Sequence, residues 1–206
     1  VYLTIRFAGY GGYGIVTASR ILGLAFAKKG YHVLQTESHG AAARGGACTA
    51  DLIIASEPIY ELGFETPNIL IVLSTPAFTK CCSISPDLSS DLLLIEAEIL
   101  SDQSVQMGLT DLPTNNRMII YQVKLQKLAE KLGNVRYIGL ASLGALAAID
   151  ERVDIKLLEK TITTDSKLRR FEKDNLRALH GGAKAILVYK TQTHLHHKPI
   201  LENNHE

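Results

Sequence analysis

The chain opens on an almost unbroken apolar run. Residues 1–8, VYLTIRFA, predict a short buried strand, and a glycine-rich turn follows at once, Gly9-Tyr10-Gly11-Gly12-Tyr13-Gly14. Ile15, Ala18, Leu22, Ala25 and Phe26 then recur at helical spacing, which predicts an amphipathic helix over 14–28 that Gly30 ends. His32-Val33-Leu34-Gln35 predicts the second strand. Strand, turn, helix and strand in this order form the first unit of a doubly wound sheet. Residues 37–46, ESHGAAARGG, have no period and predict a loop, and a strand follows over 50–55. The run Ile69-Leu70-Ile71-Val72-Leu73 predicts a central parallel strand covered on both faces. Ser74-Thr75-Pro76 marks a helix start, and short strands are predicted over 92–95 and 117–121.

The last third has helical periodicity. Helices are predicted over 124–132, over the Ala- and Leu-rich 140–149, and over 155–163 behind a cap at Asp154. A long helix over 167–190 places Leu168, Phe171, Asn175, Leu179, Gly182 and Ile186 on one face. Neither an internal repeat nor an interdomain linker is visible. The expected architecture is therefore a three-layer, Rossmann-like α/β fold: a doubly wound, mostly parallel sheet with extra C-terminal helices. It forms one domain over 1–190, with a loosely ordered tail over 191–206.

Composition narrows the function classes. The 206 residues are 46% apolar and 21% charged, ordinary values for a single globular domain with a proper core. Lys plus Arg is 22 against 21 for Asp plus Glu, a net charge of +1 that argues against bulk nucleic-acid binding. Trp is absent and aromatics are 6%, so stacking platforms for single strands are not expected. Cys48, Cys81 and Cys82 form neither a disulfide framework nor a CxxC metal site, and three thiols are too few for a four-cysteine iron–sulfur cluster. They read as incidental thiols of a reducing compartment, and no apolar run approaches a membrane span or a secretory leader. The expectation is a cytoplasmic protein with no membrane contact.

Gly9, Gly11 and Gly14 match GxGxxG directly after a strand and at the opening of a helix. Glycines admit positive φ and let backbone N–H groups face a ligand, and the helix adds its positive end, so the turn suits a phosphate. Glu37 follows Gly14 by 23 residues, at the end of the second strand, where a dinucleotide fold would bring a carboxylate to the ribose of NAD. On these residues a dinucleotide, another phosphate ligand and a purely structural turn all remain open. The second constellation runs from Ser38 to Arg44, Gly45 and Gly46, an arginine flanked by small residues just beyond a strand end. It suits an anion through the forked guanidinium, although a lone loop arginine is ordinarily a solvated surface residue. His39 has no obvious catalytic companion, and His194, His196 and His197 lie in a polar tail, where adventitious metal binding is the simpler reading. Asn175 and Gly182 read as packing or subunit-contact residues. No catalytic residue and no metal ligand set is assigned to this chain.

The segments IRFAGYGGYGIVTASRILGLAFAKKG, QTESHGAAARGG, ADLIIASEPI and ILIVLS together resemble the gamma subunit, or fused gamma domain, of 2-oxoacid:ferredoxin oxidoreductases. The pairing of a GxGGxG turn with an RGG loop about 30 residues later carries the resemblance, and weaker similarity extends to about residue 188. The chain departs from the family pattern at Tyr13, over residues 39–42, at Asn68 and near Gly139. The resemblance implies an accessory subunit of a CoA-acylating enzyme, with 2-oxoglutarate as the first candidate substrate. It implies alpha and beta partner subunits, a ferredoxin-like delta subunit in some assemblies, and ferredoxin as electron acceptor. Thiamine diphosphate, Mg and [4Fe-4S] clusters would sit on those partners. Coenzyme A would touch this chain at Gly9, Gly11, Gly12, Tyr13, Gly14, Ser38, Arg44, Gly45 and Gly46. An NAD(P)-binding oxidoreductase domain and a purely structural subunit remain the alternatives.

Overall fold

The computed structural model describes residues 1–38, 46–84, 89–111 and 118–191. The opening apolar run is β1 (Tyr2–Tyr10), an interior strand of a seven-stranded sheet. Its side chains alternate between two cores. Leu3, Ile5 and Phe7 are buried with α1 (Ile15–Lys28), while Ala8 on the opposite face joins Leu70, Val72 and Phe78. These two apolar clusters, one on each face, make the fold three layers deep.

The sheet order is β2-β3-β1-β4-β5-β6-β7. β1, β4 (Ile69–Val72), β5 (Leu92–Glu96) and β6 (Ile119–Val123) pair in parallel, as the apolar runs predict. The first unit differs from the doubly wound expectation. β2 (His32–Ser38) is an edge strand that does not touch β1, because β3 (Ala47–Ala55) lies between them, antiparallel to both. The reason is connection length. The link from β2 to β3 is too short for a parallel crossover, so β3 must turn back, and it takes the place beside β1.

On one face α1 packs against α5 (Tyr137–Ile149), whose residues from Tyr137 to Leu146 are all buried, and against α6 (Ile155–Thr164). Asp154 caps α6, as expected, by accepting from Lys156 N. α2 (Thr75–Ile84) and α3 (Gln103–Thr110) cover the other face. α4 (Leu125–Lys131) follows β6. The long helix expected over 167–190 is instead three elements: α7 (Ser166–Arg169), α8 (Glu172–Lys184) and β7 (Ile186–Thr191). Phe171, with φ −120°, interrupts the helix, and the run Ile186-Leu187-Val188-Tyr189 turns to a strand antiparallel to β6. The tail from residue 192 lies outside the described residues.

Candidate functional site

The carboxyl end of β1 runs straight into the glycine turn. Gly12 and Gly14 have φ of 96° and 75°, values that side-chain-bearing residues rarely adopt, so both glycines are conformationally required. Two of the turn's N–H groups are already satisfied within the chain: Gly11 N–H donates to Gly46 O at 3.3 Å, and Tyr13 N–H to Tyr10 O at 3.2 Å. Tyr13 stacks edge-on to Tyr10, with ring centroids 5.4 Å apart, and packs against the core. Among the described residues, nothing stands within 4 Å of where a Cβ on Gly11 or Gly12 would be, so these residues leave that outer side of the backbone open to a ligand.

The helix-facing side of the turn is closed. Gly139 N–H of α5 donates to Tyr13 O at 2.8 Å, and a Cβ on Gly139 would lie 2.4 Å from Gly14 O and 2.9 Å from Ile15 N. A Cβ on Gly14 would in turn meet Arg136 O at 2.3 Å. Backbone therefore covers the first turn of α1, where a dinucleotide pyrophosphate would rest. Glu37 pairs with Ala50 of the intervening β3, so the strand that carries it does not lie beside β1 as the dinucleotide arrangement requires. NAD should consequently bind more weakly than a Kd of about 1 µM, roughly −8 kcal/mol. Isothermal titration checks this, and a tighter constant would restore the dinucleotide reading.

Ser38 and Gly46 reach the same end of the sheet from β2 and β3. Ser38 pairs with Thr49, one residue from the Cys48 that pairs with Gly9. Arg44 and Gly45, with His39, lie outside the described residues. Lys80 of α2 adds a cation that sequence reasoning did not single out: its Nζ donates to Ser38 Oγ at 3.1 Å. Nothing in the spacing of α2 marks that lysine, since only the fold brings it to Ser38.

A second unmarked residue is Glu96, at the carboxyl end of β5 and fully buried. Its Oε2 accepts from Leu125 N at 2.8 Å and Gln126 N at 3.3 Å, capping α4, while Oε1 has no hydrogen-bond partner among the described residues. Burial pushes its carboxyl up to about 7, against the pull of those N–H groups. The native state therefore holds a proton that the unfolded chain has released, and the stability linked to it is lost as pH rises from about 4.5 through 7. Glu96→Gln should raise stability at pH 8 by up to about 3 kcal/mol and change it little at pH 5. Urea denaturation at the two pH values tests this, and an equal effect at both would contradict it.

Other candidates resolve into packing. Asn68 Oδ1 accepts from Thr4 N and Thr4 Oγ1, and its Nδ2 donates to Asp91, which ties β1 to the strands beyond it. Asn175 Nδ2 donates to Leu168 O at 3.0 Å. Gly182 permits a helix contact within the chain. Burial pushes the Cys81 thiol up to about 12, which leaves it unreactive. Among the described residues, no group of His, Cys, Asp and Glu could hold a metal ion, and no helix is long and apolar enough to cross a membrane.

Residues 4–185 match the pyruvate ferredoxin/flavodoxin oxidoreductase family. The chain is 31% identical to the 2-oxoglutarate synthase subunit KorC of Methanocaldococcus jannaschii, over 86% of this chain and 90% of that one. Its fold is similar to the pyruvate oxidoreductase subunit PORC of Thermotoga maritima, with a TM-score of 0.67 and 23% identity over 90% of this chain and 97% of that one. It is also similar to part of the 2-oxoglutarate:ferredoxin oxidoreductase of Magnetococcus marinus, solved with 2-oxoglutarate, coenzyme A and succinyl-CoA bound. There the TM-score is 0.72 at 19% identity, over 89% of this chain and 30% of that one.

Proposed function

We infer the function from one premise: the chain belongs to the pyruvate ferredoxin/flavodoxin oxidoreductase family. It is a gamma-type subunit of a 2-oxoacid:ferredoxin oxidoreductase, and 2-oxoglutarate is the substrate we assign to the complex. The carrying observation is the KorC similarity, which spans nearly the full length of both chains. Alpha and beta subunits, with a ferredoxin-like delta subunit where present, carry thiamine diphosphate, Mg and [4Fe-4S] and pass electrons to ferredoxin.

Coenzyme A is the ligand we assign to this chain. Its anionic pyrophosphate and 3′-phosphate suit the open outer side of the turn at Gly11 and Gly12, beside Gly46, Ser38 and Lys80. Gly9, Tyr13 and Gly14 shape the turn, and Arg44 with Gly45 supplies the forked cation in the segment that follows Ser38. The chain holds the nucleotide end, which brings the thiol to the acyl intermediate on the partner subunits by proximity. Work in the cytoplasm follows from the ferredoxin-linked role. Native mass spectrometry of the protein purified from its source tests the assignment. It should show this chain with thiamine- and cluster-bearing partners, and a stable homo-oligomer without them would overturn it.

A further inference from the structure

A cavity of about 400 Å³ is lined by Gly14 and by residues of α1, the start of α5 and the α7–α8 segment. That volume falls within the range of small-molecule sites. Arg20, Arg136 and Lys167 border it. The acid beside them, Asp165, is already committed: Arg20 Nη1 donates to its Oδ2 at 3.0 Å, and its Oδ1 caps α7 through Lys167 N and Leu168 N. Neither Arg136 nor Lys167 has a carboxylate partner among the described residues, so the cavity carries two uncompensated cations.

Arg136 is held in place twice. Its carbonyl presses on Gly14, and its guanidinium lies over the Phe171 ring at 5.5 Å. The cavity also has a buried polar group facing it. Asn175 lines it at 6% exposure, with Nδ2 bound to Leu168 O at 3.0 Å. Leu140 and Leu168 complete an apolar wall.

Two cations, one of them stacked on Phe171, an apolar wall and a buried amide suit a molecule with a phosphate, a flat apolar portion and a hydroxyl or amino donor. We propose that this cavity binds a nucleoside phosphate, with its phosphate on Arg136 and Lys167 and a sugar or base donor on the Asn175 amide. Its occupant is either a free nucleotide, which leaves the coenzyme A assignment at the glycine turn untouched, or the nucleotide end of coenzyme A, which would then sit here in place of the glycine turn.

The test uses the assembled complex, with ADP, adenosine and coenzyme A as probes in equilibrium dialysis. The variants are Arg136→Gln and Lys167→Gln, singly and together, both at exposed side chains whose loss leaves the core intact. ADP should bind more tightly than adenosine, and each variant should weaken ADP at least about tenfold, the effect of one charge-assisted contact. Arg136→Lys should recover part of that loss. If coenzyme A weakens in parallel, its nucleotide end is the occupant, and the glycine turn does not hold its phosphates. If ADP alone weakens, the occupant is a free nucleotide, and both outcomes support the site. Failure of ADP and coenzyme A to bind the wild-type complex below about 1 mM overturns the proposal. Unchanged affinities in the double variant do the same.

Discussion

Gly144→Ala should destabilise the chain by about 2–4 kcal/mol, despite alanine's better helix propensity. α5 and α8 cross with backbones in near contact. A Cβ on Gly144 would stand 1.8 Å from Leu179 O, and one on Gly182 would stand 1.8 Å from Ala141 O. The obstacles are carbonyl oxygens, which cannot rotate away as a side chain can, so the helices must part. The gain in helix propensity, at most about 1 kcal/mol, cannot offset that separation. Gly182→Ala should cost a similar amount. Gly181→Ala meets only the flexible Leu128 side chain and should cost less, while Gly63→Ala meets nothing and serves as a neutral control. Urea denaturation of the four variants checks the ranking. A Gly144→Ala midpoint equal to that of Gly63→Ala would contradict the packing account. The effect also reaches the site, because Gly139 of α5 and Arg136 just before it seat on the glycine turn.

Arg44→Ala should raise the KM for coenzyme A in the assembled enzyme about tenfold to a hundredfold, the loss of one charge-assisted phosphate contact worth roughly 1.5–3 kcal/mol. Arg44 precedes Gly46 by two residues, and Gly46 O receives the Gly11 N–H of the glycine turn. The turn's outer side is open at Gly11 and Gly12, and Lys80 already brings one cation to Ser38. Decarboxylation assayed without coenzyme A should change little, since the proposed role leaves that step to the partner subunits. Arg44→Lys should recover part of the loss, because a point charge lacks the forked geometry. If Arg44 instead pairs with a carboxylate across a subunit interface, the variant complex dissociates and every partial reaction falls together. Gel filtration beside the two kinetic assays separates these outcomes. An intact complex with an unchanged KM ends the assignment.

The beginning of the fold was legible residue by residue, because β1, the glycine turn and α1 are local patterns: an apolar run, positive-φ glycines and a helical stripe. Strand order is not local. Nothing in the residues of β3 says that it inserts between β1 and β2, although the shortness of the link before it does. β7 was hidden because Ile186 continues the helical spacing of Leu179 and Gly182, so periodicity alone extended the helix. α3 was missed because only Val105 of its residues is buried, which leaves a polar segment without a stripe. At the site, the glycine turn and Ser38 could be found from the motif and its spacing. Lys80, Glu96 and Gly139 could not, since each comes from a distant element and matters only through what the fold sets beside it. Gly14 shows the limit of the motif itself. It fits the phosphate pattern, yet its missing Cβ makes room for the carbonyl of Arg136.

Completing a coenzyme A-dependent 2-oxoacid oxidoreductase, rather than acting alone, is the role proposed for this chain. The most direct measurement is ferredoxin reduction by the complex reconstituted with and without this chain, with 2-oxoglutarate and coenzyme A as substrates. The complete complex should form succinyl-CoA and reduce ferredoxin, 2-oxoglutarate should outrun pyruvate, and this chain by itself should be inert. Oxidation of a substrate by the isolated chain with NAD, or full coenzyme A-dependent turnover by the complex lacking it, would contradict the account.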